Sequence, residues 1–193
     1  LNPPNLPRGD DGEDQTGARY DQDFHQWTAP FMMAGVNTRV VRRSHAQLGF
    51  PWGRHFVYDE AMLTGDGPGG FLRAMLSSAG AGLMAVVSAV SPVRRLLARV
   101  APSPGEGPSL ETIEKGFFEV DFLASHPEDL DCNLLVRVTG DRDPGYGATA
   151  KMIAECAVCL ATDELESPSG FLTPAVAMGS QLVDRLVSKA GMT

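Results

Sequence analysis

Cysteine is scarce: three thiols in 193 residues, Cys132, Cys156 and Cys159. Three build no disulfide framework and fit a reducing compartment, so the chain reads as cytoplasmic. Basic residues are outnumbered, 16 Lys and Arg against 24 Asp and Glu, for a net charge of −8. A general grip on nucleic acid needs a basic face, so nucleic acid is not expected as a partner. Metal-ligand spacing is missing too. His25, His45, His55 and His126 are scattered, and Cys156-x-x-Cys159 falls on a helical pattern with no second pair, so no metal site is assigned. No Ser-His-acid signature with a nucleophile elbow occurs; Ser169-Gly170 is a turn. Nor does a dinucleotide fingerprint. Gly65-Asp-Gly-Pro-Gly-Gly70 carries proline inside the turn and lacks the required spacing, and no acidic residue follows a second hydrophobic strand to hold a ribose.

What is there reads as an α+β chain: an antiparallel or mixed sheet with helices packed on one side. Hydrophobic content of 43% and charged content of 21% are ordinary for a globular chain, and the length suffices for one medium domain with a real core. Residues 1–23, rich in Pro, Gly and acids, read as an acidic loop or linker, and residues 24–193 as the domain. Helical spacing over 38–48 puts Val36, Val40, Val41 and Leu48 on one face, with Gly49 as the stop. Residues 55–63 have strand character. Residues 101–108 form a Pro-Gly connector, and 109–115 a short helix. Residues 117–124 and 133–139 alternate as an antiparallel pair with one wet face.

The richest stretch is Gly140-Asp-Arg-Asp-Pro-Gly-Tyr-Gly147, between a strand-like run, 134–139, and a helical run, 148–161. At such a junction the helix N-terminus leaves amides unpaired, and Asp141 and Asp143 are acceptors suited to them. A second block, Gly170-Phe-Leu-Thr-Pro-Ala-Val-Ala-Met-Gly179, precedes an amphipathic helix at 181–190, with Thr173 as N-cap and Pro174 as first helical residue. A third runs from Trp27 through Phe31-Met32-Met33 to Arg43-Ser44.

These three blocks resemble the C-terminal part of the saccharopine dehydrogenase-like oxidoreductases, nearest the bacterial branch that includes the trans-acting enoyl reductases. The resemblance covers most of 27–193 and is loose between 65 and 110. It implies a substrate and dimerisation domain, a homodimer, and NAD(P) bound mainly by an N-terminal dinucleotide-binding domain whose fingerprint this sequence lacks. On that reading the chain is the back half of an enzyme, both ends look cut, and the fragment alone is inactive. Saccharopine itself fits poorly, because a diacid calls for several converging basic residues and only Arg39, Arg42, Arg43 and Arg142 offer themselves.

The candidate chemistry has two sides at each position. Tyr146 is the candidate catalytic residue, a proton donor at the corner, or else a ring packed under the turn. Arg142 holds a substrate carboxylate or phosphate, or braces the loop against Asp141 or Asp143. Asp143 belongs with it as a substrate-side group or as a cap. Asn37 and Arg39 form a polar rim to a substrate wall, or an ordinary helix start. Met32, with Met33, Phe31 and Trp27, forms a pliable apolar pocket, or simply core.

One stretch stands apart. Residues 74–93 are uncharged for 20 positions and are followed by Arg94, Arg95 and Arg99. Serines, glycines and Pro92 lower its hydrophobicity. It reads as a small-residue helix packed on protein, or lying at a membrane interface with arginines near the headgroups. Three roles follow: the substrate-binding half of a reductase acting on a lipid-like substrate, a non-catalytic membrane- or lipid-docking module, or a dimerisation domain.

Overall fold

The fold is known from a computed structural model that describes residues 9–10, 12–97, 99, 105–166 and 169–193. The domain expected over 24–193 takes the form of two compact units, Leu1–Pro104 and Gly105–Thr193. The division falls inside the Pro-Gly connector. The fold class is α+β, with both sheets small and antiparallel.

In the first unit, strands β1 (Arg19–Asp21), β2 (Gln26–Pro30) and β3 (Ala61–Gly65) form one sheet in that order. The turn between β1 and β2 is set by Asp21, whose carboxylate accepts from the Asp23 and Phe24 amides at 3.0 Å each. β1 thus lies inside the stretch expected to be loop. The loop reading missed it because three residues carry no detectable period. Helix α1 (Ala34–Gln47) follows β2 and ends at Gly49, whose φ of +78° only glycine adopts freely. The strand expected at 55–63 begins only at Ala61. Upstream, Tyr58 gives its carbonyl to Arg42 and its hydroxyl to Glu60, so this segment tethers to α1 and its own neighbours instead of forming a ladder.

Helix α2 (Gly67–Ala89) leaves β3 through a glycine turn and lies back on β2 and β3. Gly70 rests directly against the Gly65 carbonyl, where any Cβ would collide. Beside that contact Phe71 meets Trp27 edge-on, with ring centroids 4.7 Å apart, and Ala74 is fully buried. After Val90 the chain turns into α3 (Ser91–Leu97), the break expected at Pro92. Among the described residues no helix is long and apolar enough to cross a membrane.

The second unit opens with α4 (Leu110–Lys115), capped by Ser109, whose hydroxyl accepts from the Thr112 amide at 3.2 Å. Strands β4 (Phe118–Ala124) and β5 (Leu134–Gly140) pair in unbroken register from Phe118↔Gly140 to Ala124↔Leu134. Arg137 grips Asp121 across the pair with two bonds, 2.6 and 2.9 Å. Helices α5 (Gly147–Thr162) and α6 (Pro174–Lys189) pack together through Cys159, Met178 and Leu182. Arg185 ties them by reaching Asp163 at 2.6 and 2.7 Å and Glu155 at 3.2 Å. The guanidinium holds the Asp163 carboxyl well below the usual carboxylate range. Gly179 interrupts α6 with φ +50°, ψ −132°, which is why the sequence shows a capped start at Thr173 and a separate amphipathic run from 181.

The core expected from composition is mostly small. Of the ten buried apolar residues among the described ones, six are alanine, and the largest fully buried side chains are Thr28, Thr38 and Cys159. On α1 the buried stripe is Ala34, Thr38 and His45, while Val36, Val40 and Leu48, expected to share a face, are exposed. The polar stripe turns inward because Asp14 and Gly53 supply bonds to it, to Thr38 and His45 respectively.

The Gly65–Gly70 contact sets an expected contrast. Gly70→Ala destabilises the chain by about 1–3 kcal/mol, as overpacking against fixed backbone does. Gly80→Ala, with nothing within 4 Å of an added Cβ, stabilises it by up to about 1 kcal/mol through helix propensity. Chemical denaturation followed by circular dichroism compares them; equal effects would refute the close-packed junction.

Candidate functional site

The corner after β5 is built backward from glycine. Gly116 lets the α4 segment touch Asp143, since a Cβ there would lie 2.6 Å from the Asp143 backbone and Cβ. The Asp143 amide donates to the Ile113 carbonyl at 3.2 Å, its carbonyl accepts from the Ala148 amide at 2.8 Å, and its carboxylate accepts from the Tyr146 amide at 2.7 Å. Asp143 is thus the keystone of the turn, doing the capping that residue type suggested. Arg142 leans towards Glu114, 3.8 Å away, rather than towards either aspartate beside it. Tyr146 stands at the mouth of the corner, 55% exposed, and its hydroxyl has no bonding partner among the described residues. The turn therefore fixes the Tyr146 backbone and leaves the phenol free to meet something else.

Asp141 takes another role. Lys151 holds it with contacts of 2.8 and 3.1 Å, and this hydrogen bonding lowers the Asp141 carboxyl below its ordinary range. The same ammonium donates to the Ala190 carbonyl at 3.2 Å. Gly191, at φ +76°, passes so close that a Cβ would lie 2.6 Å from the Asp141 carboxylate. Beyond it, Thr193 exchanges backbone bonds with Thr139 (2.9 and 3.3 Å), so the last residues pair with the end of β5. Nothing in a single sequence links Asp141, Lys151 and Gly191; the clamp is visible only in three dimensions.

The other candidates lie in the first unit, at the start of α1. Asn37 donates to Glu60 at 2.9 Å, and the second Glu60 oxygen accepts from the Tyr58 hydroxyl at 2.9 Å. Burial, then the bond to Glu60, pushes the half-buried Tyr58 phenol well above its ordinary value. Arg39 pairs with Asp14 at 3.1 Å and also donates to the Gly35 carbonyl. Thr38 donates to the other Asp14 oxygen at 3.0 Å. Burial lifts the Asp14 carboxyl, but the bonds from Arg39 and Thr38 outweigh it and hold the group below its usual range. The acidic segment before β1 is thus pinned to α1 at Asp14. The expected apolar pocket does not gather. Trp27 packs between Tyr20 and Phe71, while Met32 stands 90% exposed.

Two features escaped the sequence reading. His45 sits in an aromatic box of Phe50, Trp52 and Phe56, stacked on Trp52 within 3° of parallel, with its Nε2 2.8 Å from the Gly53 carbonyl. The cluster of aromatics just after the helix stop was the available signal. A groove of about 350 Å³ lies between β3 and α2, lined by Met62, Leu63, Thr64, Arg73, Leu76 and Ser77. Among the described residues no three His, Cys, Asp or Glu side chains converge to hold a metal ion.

No protein-family model matches the chain, and no solved structure matches it. Curated sequences do. The chain is 40% identical over 168 residues to a Mycobacterium tuberculosis protein provisionally named a trans-acting enoyl reductase. It is 34% identical over 165 residues to a Mycobacterium bovis trans-acting enoyl reductase, and 32% over 178 residues to one from Mycobacterium ulcerans. These matches take in 83% of this chain and 39% of each relative. The chain is related to this enoyl reductase group and spans about two-fifths of the length of its curated members.

The clamp gives an expected pH response. A lowered Asp141 supports the Lys151 contact fully above its ordinary value of 3.8, and the support is lost as pH falls through the lower folded value. Amide exchange protection at Thr139 and Thr193 is expected to fall under those acid conditions. Asp141→Asn shows the same loss already at neutral pH. Unchanged protection in the variant would mean that the strand pairing holds without the clamp.

Proposed function

We propose that this chain is the substrate-binding and dimerisation region of an NAD(P)-dependent, saccharopine dehydrogenase-like oxidoreductase that saturates an enoyl group on a lipid-like substrate. The observation that carries the reading is the 40% identity, over 168 residues, to a protein named as an enoyl reductase. The large apolar side chains left outward on α1, β5 and α6 support a region that completes itself against further polypeptide.

The cofactor belongs, in this reading, to a dinucleotide-binding domain outside these residues. The residues present do not fit it. At the junction between β3 and α2, the Arg73 guanidinium lies 2.5 Å from where a Gly65 Cβ would be, and Pro68 occupies the first turn of the helix, where a phosphate-binding amide would be needed. What this chain offers is a proton and a surface. Saturating a conjugated double bond requires a proton at one carbon, and the free Tyr146 hydroxyl suits that task. Met32, with Phe31 and Met33 beside it, suits an apolar wall. Asn37, Arg39, Arg142 and Asp143 act as positioning residues, since each is engaged within the protein.

The test joins this chain to the upstream residues of the Mycobacterium tuberculosis relative and follows NADPH oxidation with an enoyl thioester. The joined protein is expected to turn over, and this chain alone to bind no nucleotide. Tyr146→Phe is expected to cut kcat by about 100-fold, within the range of lost acid catalysis, with KM little changed. Reduction by the isolated chain would overturn the division of labour. Full activity in Tyr146→Phe would remove Tyr146 from the chemistry.

A further inference from the structure

Between Asp66 and Glu106 the sequence has no acidic residue at all, yet it carries Arg73, Arg94, Arg95 and Arg99. The remainder of the chain holds 12 basic residues against 24 acidic ones. An all-positive segment in an acidic chain needs a reason, and α2 with α3 occupies most of it.

Helix α2 is built with its large residues facing the wrong way for a core. At about 100° per residue, Leu72, Leu76, Leu83, Val86 and Val90 fall on one stripe. All five are exposed, Leu83 at 65% and Val86 at 64%. Ala74, on the opposite side, is the residue buried against the sheet. Added Cβ atoms at Gly80 and Gly82 would meet nothing within 4 Å, so the distal half of the helix makes no close packing at those positions. The stripe contains no charge. Beyond the break at Val90, Arg95 and Leu96 of α3 are both exposed, and Arg99 follows. The helix is about 34 Å long at the standard rise, and it is not apolar enough to cross a bilayer.

We propose that this stripe, together with Arg95 and Arg99, docks α2 flat on an anionic lipid bilayer surface. Charge decides between occupants. A second copy of this chain, net −8, offers no anionic groups on the same stripe to answer the arginines, because the stripe is the part without acids. An anionic membrane supplies both partners at once, acyl chains for the leucines and phosphates for the guanidinium groups. The inference is independent of the reductase reading and stands or falls separately from it.

Flotation of the whole chain with phosphatidylcholine vesicles, with and without phosphatidylglycerol, tests it. The chain is expected to float with the anionic vesicles, at least about 10-fold better than with neutral ones, and to be released by salt. Leu83→Glu with Val86→Glu is expected to abolish flotation while leaving the circular dichroism unchanged, since both side chains are exposed. Arg95→Ala with Arg99→Ala is expected to weaken it roughly 30-fold, about fivefold per charge. Failure of the unaltered chain to float on anionic vesicles overturns the proposal. So does undiminished flotation of the Leu83/Val86 variant. If sedimentation finds a dimer that this variant splits, and the parent chain does not float, the stripe is covered by a second copy and the membrane reading is wrong.

Discussion

Close approach to the backbone, licensed by glycine and alanine, is the interaction on which this protein depends. Gly70 against the Gly65 carbonyl, Gly116 against Asp143 and Gly191 against the Asp141 carboxylate each replace what would elsewhere be a layer of large side chains. The consequence is energetic. Burying an alanine removes little apolar area from water, so each such contact contributes less than a leucine would. Packing of this kind gains its stability from tight fit and satisfied polar groups. Thr28 and Thr38, fully buried and bonded, take the central positions that Val or Ile would hold in a conventional core.

That economy leaves the large apolar residues free, and they appear on the outside of α1, α2, β5 and α6. Polar candidates behave in the opposite way. Asn37, Arg39 and Asp143 look like substrate-binding groups in a bare sequence, but their bonds are already made, to Glu60, Asp14 and the Tyr146 amide. A polar group that is already satisfied gains little from a ligand and loses its existing bond on rearrangement. Tyr146 differs because its amide, not its hydroxyl, is what the turn uses. This asymmetry, rigid backbone and free phenol, is the arrangement in which a side chain can be presented without being spent on structure.

Much of the fold was legible because its signals are local. Alternation gave β4 and β5 almost to the residue, Gly49 gave the end of α1, and Ser109, Thr173 and Pro174 gave two helix starts. The misses share a cause: they depend on partners distant in sequence. Thr38 is buried because Asp14 meets it, and Val36 is exposed as a result. Residues 55–60 join no strand ladder, and Arg42 and Asn37 claim the Tyr58 carbonyl and the Glu60 carboxylate. At the candidate site, the strand–turn–helix corner and the Asp143 cap were readable from spacing, whereas the Arg142–Glu114 contact and the Asp141–Lys151 clamp were not. The burial pattern was least legible, since a period shows which residues share a face but not which face turns inward.

Both tryptophans lie in the first unit, and they occupy different settings. Trp27 is wedged between Tyr20 and Phe71 where α2 meets the sheet, and Trp52 is stacked face to face on the His45 imidazole beyond the end of α1. Indole emission therefore comes from one half of this molecule alone, and the helical pair that carries the Arg185 bridge is dark to it. The protein comes with its own optical separation of the two halves, in which fluorescence follows the first and far-ultraviolet dichroism follows both.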